Sequence, residues 1–110
     1  MSETLESKLR VFLTAVKADD KRAFKQVVRL YETYTIAFAM TLFNDEEVVE
    51  VIAAEAFAKI WETRKEIDVS VFDPRAFLEQ TITQLYGQFM EHMMLEIIAG
   101  TDDNLLNNKP

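Results

Sequence analysis

Cysteine is absent from this 110-residue chain. That excludes a disulfide framework, a thiolate metal site and a cysteine nucleophile, and it is compatible with a reducing compartment, so the cytoplasm is the expected location. Glycine and proline number only two each, too few for the many tight turns of a β-rich fold, which favours long uninterrupted helices. Serine occurs only at Ser2, Ser7 and Ser70, none of them in a strand-to-helix elbow, and no glycine-rich phosphate cradle is present. No uncharged apolar run approaches the roughly 18 residues that span a bilayer. The first ten residues carry Glu3 and Glu6 and lack the apolar stretch of a secretory signal. No membrane association is expected.

Positive charge is also scarce. Twelve Lys and Arg face nineteen Asp and Glu, a formal net charge of −7, and such a field repels phosphate backbones and anionic headgroups. The deficit is concentrated: between Arg75 and Lys109 there is no Lys or Arg, while Glu79, Glu91, Glu96, Asp102 and Asp103 lie in that interval. Nucleic acid is therefore not the expected partner.

What the chain does have is apolar periodicity. With 49% hydrophobic and 28% charged residues it has the composition of a folded domain, and its length suits a single core. Leu5, Leu9, Phe12, Leu13 and Val16 recur at helical spacing behind Ser2, predicting helix one to about Ala18. Asp19 and Asp20 offer a cap for helix two, whose stripe runs through Phe24, Val27, Val28, Tyr31, Tyr34, Phe38 and Leu42, with a bend or split expected near Thr33 and Thr35. Asn44 and Asp45 recap the chain, and helix three is expected from Glu46 to Lys65 with acids in its first turn and Arg64 and Lys65 at its end. Residues 67–72 alternate like a strand without a partner strand, which predicts an extended connector. Asp73 and Pro74 open helix four, and Gly100 is expected to stop it after Ala99. The fold class is thus all-α, a single-domain bundle of about four helices over residues 1–100, with a polar tail over 101–110.

Groups for catalysis or metal binding are few. His92 has Glu91 beside it and Glu96 four residues on, which supplies one edge of a metal site and no third ligand. The acids Asp45, Glu46, Glu47 and Glu50 sit where dipole complementarity alone would put them. No enzyme activity, metal or cofactor is expected, which leaves protein surfaces as the carriers of function.

The segment from Ala23 to about Gln84 resembles region 2 of the sigma-70 family of transcription factors, specifically the compact extracytoplasmic-function group. AFKQVVRLYETY is similar to the family's opening helix. EVVEVIAAEAFAKIWETRKEID is similar to its helix reading A-E-D-I-V-Q-E-V-F-L-K-L-W-E, with Phe57, Lys59, Trp61 and Glu62 in register. FDPRAFLEQTITQ follows the family's F-x-x-Y-L-x-x-I-A-R-N pattern through Phe72, Phe77 and Leu78. The resemblance implies a bacterial helical domain with a role in transcription.

The departures from the family pattern matter as much. An Asp and a Gln on the family's third helix dock it on the clamp helices of the polymerase β′ subunit; here Val51 and Ala54 stand in their places and only Glu55 of the cluster persists. Each charge-assisted bond so replaced removes about 1.5–3 kcal/mol. Thr83 and Gln84 replace the Arg-Asn pair of the strand-holding helix, and Gln88, Glu91 and His92 follow where basic groups would be needed. The family's second helical domain, which reads the minus-35 element, has no counterpart in the sequence, so a region-2-only relative is expected.

Two apolar faces remain in excess of one core. On helix three Val51, Ala54 and Ala58 form a small-residue face opposite Val48, Val49, Ile52, Ala53, Ala56 and Ile60. On helix four Leu85, Tyr86, Phe89, Met90, Met93, Met94 and Ile97 cover about half the circumference. Gly87 among them hints at a close backbone approach. The expected interface comprises Val51, Ala54, Glu55, Ala58, Tyr86, Met90 and Met94. Its expected partner is a sigma factor, an anti-sigma factor, a polymerase subunit or a second copy, and the expected role is a negative effector of transcription. A working short sigma factor that binds core polymerase and promoter DNA, or an unrelated helical oligomerisation module, are the alternatives.

Overall fold

Each of the four α-helices starts on a side-chain oxygen that accepts from backbone amides left free in the first turn. The computed structural model describes residues 4–107, and their side chains as far as residue 100. Helix α1 spans Leu5–Lys17 behind Thr4, whose Oγ1 accepts from Ser7 N. Helix α2 spans Lys21–Met40 behind Asp20, and α3 spans Glu46–Glu62 behind Asp45. Helix α4 spans Pro74–Asn107, with Asp73 Oδ1 accepting from Arg75 and Ala76 N at 3.0 and 3.3 Å. Among the described residues there is no strand, so the all-α class holds.

Four expectations change. The cap of α1 is Thr4; Ser2 lies outside the described residues. Helix α2 runs unbroken, because Thr35 turns its hydroxyl onto Tyr31 O at 2.7 Å and so satisfies itself inside a fully buried site. Helix α3 ends at Glu62 and Arg64–Glu66 tightens into a 3-10 turn, since Arg64 is drawn across to Asp19 at 2.8 Å. Gly100 does not stop α4. No glycine among the described residues has positive φ, and without that left-handed turn the ladder continues to Asn107. The tail expected over 101–110 is therefore helical backbone as far as Asn107, and 108–110 lie outside the described residues.

Two apolar clusters form the core. Ala39, Phe43, Val49, Ile52, Ala56, Phe57, Ile60, Ile67, Leu78 and Ile82 join α2, α3 and the first half of α4, while Leu9, Leu13, Val16, Ala23 and Val27 join α1 to α2. Phe24, Tyr31, Val69 and Phe72 pack against both and fuse them into one core. The connector between α3 and α4 is pinned from the far side by Arg10 of α1, whose Nη1 donates to Val69 O and to Phe72 O, each at 2.7 Å.

Helix α4 runs antiparallel to α3 but is twice as long, 34 residues against 17. The inward face of its first half is buried as far as Tyr86, and every residue from Gly87 to Gly100 is exposed. The radius of gyration is 19.1 Å, against about 13 Å for a compact chain of this length, and the long axis reaches 79 Å.

Candidate functional site

Three surfaces follow from this architecture. The first is the outer side of α3. Val49, Ile52, Ala53, Ala56, Phe57 and Ile60 turn into the core, so the residues between them are forced outward: Val51 is 61% exposed, and Ala54, Glu55 and Ala58 are exposed as well. Glu55 and Ala58 border a cleft of about 550 Å³ that continues along α4 through Gln80, Gln84 and Gln88. Glu55, Glu62 and the three glutamines share its walls with Ala58, Phe77 and Leu85, with no Arg and only Lys59 as a cation among the lining residues.

The second surface lies on the opposite flank of α4. Tyr86 packs edge-on against Phe43, ring centroids 5.4 Å apart at 86°, and Phe89 meets the same ring at 5.5 Å. Tyr86 is thus half-buried in the end of the core, and Met90 and Met93 border a shallow hollow with Leu42, Asn44 and Asp45. The structure does not bring the expected interface residues into one patch. Val51, Ala54, Glu55 and Ala58 share the face of α3, Tyr86 and Met90 sit on the other flank of α4, and Met94 stands beyond the bundle.

Past Tyr86 the helix leaves the bundle, with Gln88 still bordering the α3 cleft and Phe89, Met90 and Met93 still bordering the turn between α2 and α3. Phe89, Met90, Met93, Met94, Ile97 and Ile98 are 39–59% exposed, and at 100° per residue they fill an arc of about 180°. Glu91 falls just past the Ile98 edge of that arc and Glu96 just past the Phe89 edge. Glu96 also accepts from His92 Nε2 at 3.1 Å, both groups being open to water. Gly87 has nothing within 4 Å of where a Cβ would stand, so no close backbone approach explains it.

The third surface was not anticipated. Where α2 starts and α3 ends, Phe24 and Trp61 stack at 5.3 Å and 54°, and with Val28 they floor a groove of about 470 Å³ bordered by Lys21, Lys25, Arg29 and Glu32. The signal lay in the i, i+4, i+8 spacing of Lys21, Lys25 and Arg29 beside an apolar stripe, a pattern hidden by the chain's acidic total. The Arg64 guanidinium covers the Trp61 ring at 4.1 Å. Arg64 and Lys65 also grip Asp19, and those two hydrogen bonds hold its carboxyl below the usual carboxylate range. Asp19 itself sits at φ 70°, a left-handed turn that aspartate tolerates better than most residues.

Among the described residues no three His, Cys, Asp or Glu converge as metal ligands, no buried side-chain polar atom lacks a partner, and no helix is long and apolar enough to cross a membrane. Comparison with protein-family profiles, with curated proteins and with solved structures finds no match to this chain.

Proposed function

We propose that this chain is a non-enzymatic regulator of transcription, a degenerate relative of sigma factor region 2 that occupies a protein partner and does not open promoters. The observation that carries the protein-binding part is the projecting half of α4. Six large apolar side chains on an exposed helix make a patch of the kind that soluble monomers avoid and interfaces use. Methionine at three of those positions suits the arc to partners of differing shape. The same half-helix carries Glu91 and Glu96 and no Lys or Arg, so it offers phosphates no counterion to replace.

The sigma-like part is supported by how the resembling segments pack. Phe24 of the first segment and Trp61 of the second stack on each other, and Phe57, Phe77 and Leu78 lie in or against one cluster. At the family's polymerase-docking positions Val51 and Ala54 offer exposed aliphatic groups, which favours a partner other than the β′ clamp and makes a negative effector the fitting role. Such a role belongs in the bacterial cytoplasm.

The test pairs two assays on the purified chain. Binding to single-stranded promoter DNA and co-purification with core polymerase are measured at low salt, and both are expected to be absent. Sequence-selective DNA binding near physiological ionic strength would refute the proposal. Restoring the family's polar pair with Val51→Asp and Ala54→Gln is expected to weaken recovery of a native partner; unchanged recovery would remove the α3 face from the interface.

A further inference from the structure

We infer that the projecting half of α4 seats in the cation-bordered groove between α2 and α3 of a second copy of this chain. This deepens the protein-binding proposal and rests on it in one respect, that protein covers the arc. The two surfaces are complementary in both terms that decide helix docking. The arc of Phe89, Met93, Ile97, Met90, Met94 and Ile98 meets a floor of Phe24, Val28 and Trp61. Glu91 and Glu96 flank the arc on opposite edges, so whichever way the helix lies one of them faces the row of Lys21, Lys25 and Arg29, none of which forms an ion pair within its own chain among the described residues. Glu32 is the one acid on the groove's border.

The other self-contact, projecting half of α4 against projecting half, places carboxylate-edged arcs face to face with no Lys or Arg on either half, and like charges across an interface disfavour it. Docking within one chain is excluded by direction. The helix leaves the bundle beside Phe43, at the far end of α2 from Lys21 and Phe24, and about 30 Å of α2 separates the two ends. A second copy therefore supplies the groove. Mutual insertion closes a two-fold dimer, and one-way insertion builds open chains.

Trp61 is the only tryptophan and lies in the groove floor, so its emission reports occupancy. Mass in solution and Trp61 emission are followed against protein and salt concentration. The expected result is a species heavier than 12.7 kDa that forms as concentration rises, shifts the emission to shorter wavelength and dissociates as salt increases. Lys25→Glu with Arg29→Glu is expected to abolish association, as is Glu91→Lys with Glu96→Lys, and the four changes in one chain are expected to restore it. All four side chains are exposed, and unchanged helical circular dichroism verifies the fold of each variant. A monomer at every concentration, or an oligomer indifferent to the Lys25 and Arg29 reversal, overturns the inference. Neither result touches the promoter and polymerase assays, which decide the regulatory proposal separately.

Discussion

Arg10→Ala should be the most destabilising single change outside the apolar core. The guanidinium bridges α1 to the connector ahead of α4: one nitrogen donates to the carbonyls of Val69 and Phe72, each at 2.7 Å, and the other lies 3.6 Å from Glu6. A hydrogen bond from a charged donor contributes about 1.5–3 kcal/mol net. Both bonds share one nitrogen and the side chain is 29% exposed, so they do not add fully, and water recovers part of the loss at the two carbonyls. The pair with Glu6 is solvent-exposed and adds only a few tenths of a kcal/mol. The sum is about 2–3 kcal/mol, a large fraction of the 5–15 kcal/mol typical of a small domain.

Urea unfolding followed by circular dichroism measures this directly. With a slope of about 1–3 kcal/mol per M for a small domain, the midpoint should fall by roughly 1 M at unchanged slope. Arg10→Lys keeps the charge but loses the planar fork and reaches at most one of the carbonyls, so it should fall in between. An Arg10→Ala variant within 0.5 kcal/mol of the parent, on the scale of ordinary surface substitutions, or a lysine variant equal to the parent, would refute the bridging role.

Three further outcomes follow from the packing and charge of particular residues. Ile60 is fully buried between α3, the connector and α4, so Ile60→Ala should cost about 2–5 kcal/mol in the same urea titration. Gly87→Ala adds a methyl group in open space at a helical φ, so it should raise stability or helical ellipticity by the equivalent of about 0.5–1 kcal/mol; a loss there would reveal a close contact in an assembly. Asp19 has a folded-state pKa below its unfolded value, held down by hydrogen bonds from Arg64 and then Lys65, so its contribution is full above the unfolded pKa of about 3.9 and disappears as pH falls through the lower folded value. Asp19→Asn keeps a residue that tolerates the left-handed turn, so the stability gap between parent and variant should be present at pH 7, close on acidification through that window and shrink with salt; a gap independent of pH would assign Asp19 a purely conformational role.

Local rules made most of the fold legible. Asp20, Asp45 and Asp73 were readable as caps because a carboxylate before an apolar-periodic run has one economical use, and the inward face of α3 was readable because Val49, Ile52, Ala53, Ala56 and Ile60 can share one core only on one side of a helix. Features set by tertiary partners were not legible. Arg10 reads as a solvated charge until the connector 59 residues away is placed against it. Thr35 reads as a helix weakener until burial makes its bond to Tyr31 the cheaper option. Gly100 reads as a stop, yet a glycine ends a helix only where the backbone takes up the left-handed turn, and Gly100 has no positive φ. At the candidate interface, exposure of Val51, Ala54 and Ala58 was legible from the wheel of α3. The division from Tyr86, Met90 and Met94 was not, because it depends on which flank of α4 faces α3. The groove at Trp61 was missed because its cations and its aromatic floor come from different helices.

The overhang of α4 follows from length alone, and that links fold to function. An antiparallel neighbour of 17 residues offers about 26 Å of surface, while 34 residues extend about 51 Å, so about half of α4 must leave the bundle. Even a helix ending at Ala99 would outrun α3 by several residues. An overhang that served only as a spacer would be polar all round, as isolated solvent-bridging helices are. This one instead keeps an apolar half-circumference to Ile98, a patch of the kind that soluble monomers rarely leave open to water. A lipid surface is disfavoured because interfacial helices rely on Lys and Arg along their polar face, and a nucleic acid is disfavoured by the same missing cations. The partner consistent with both the arc and its carboxylate edges is a protein surface with an apolar floor and a basic border, the chemistry found on this chain's own α2.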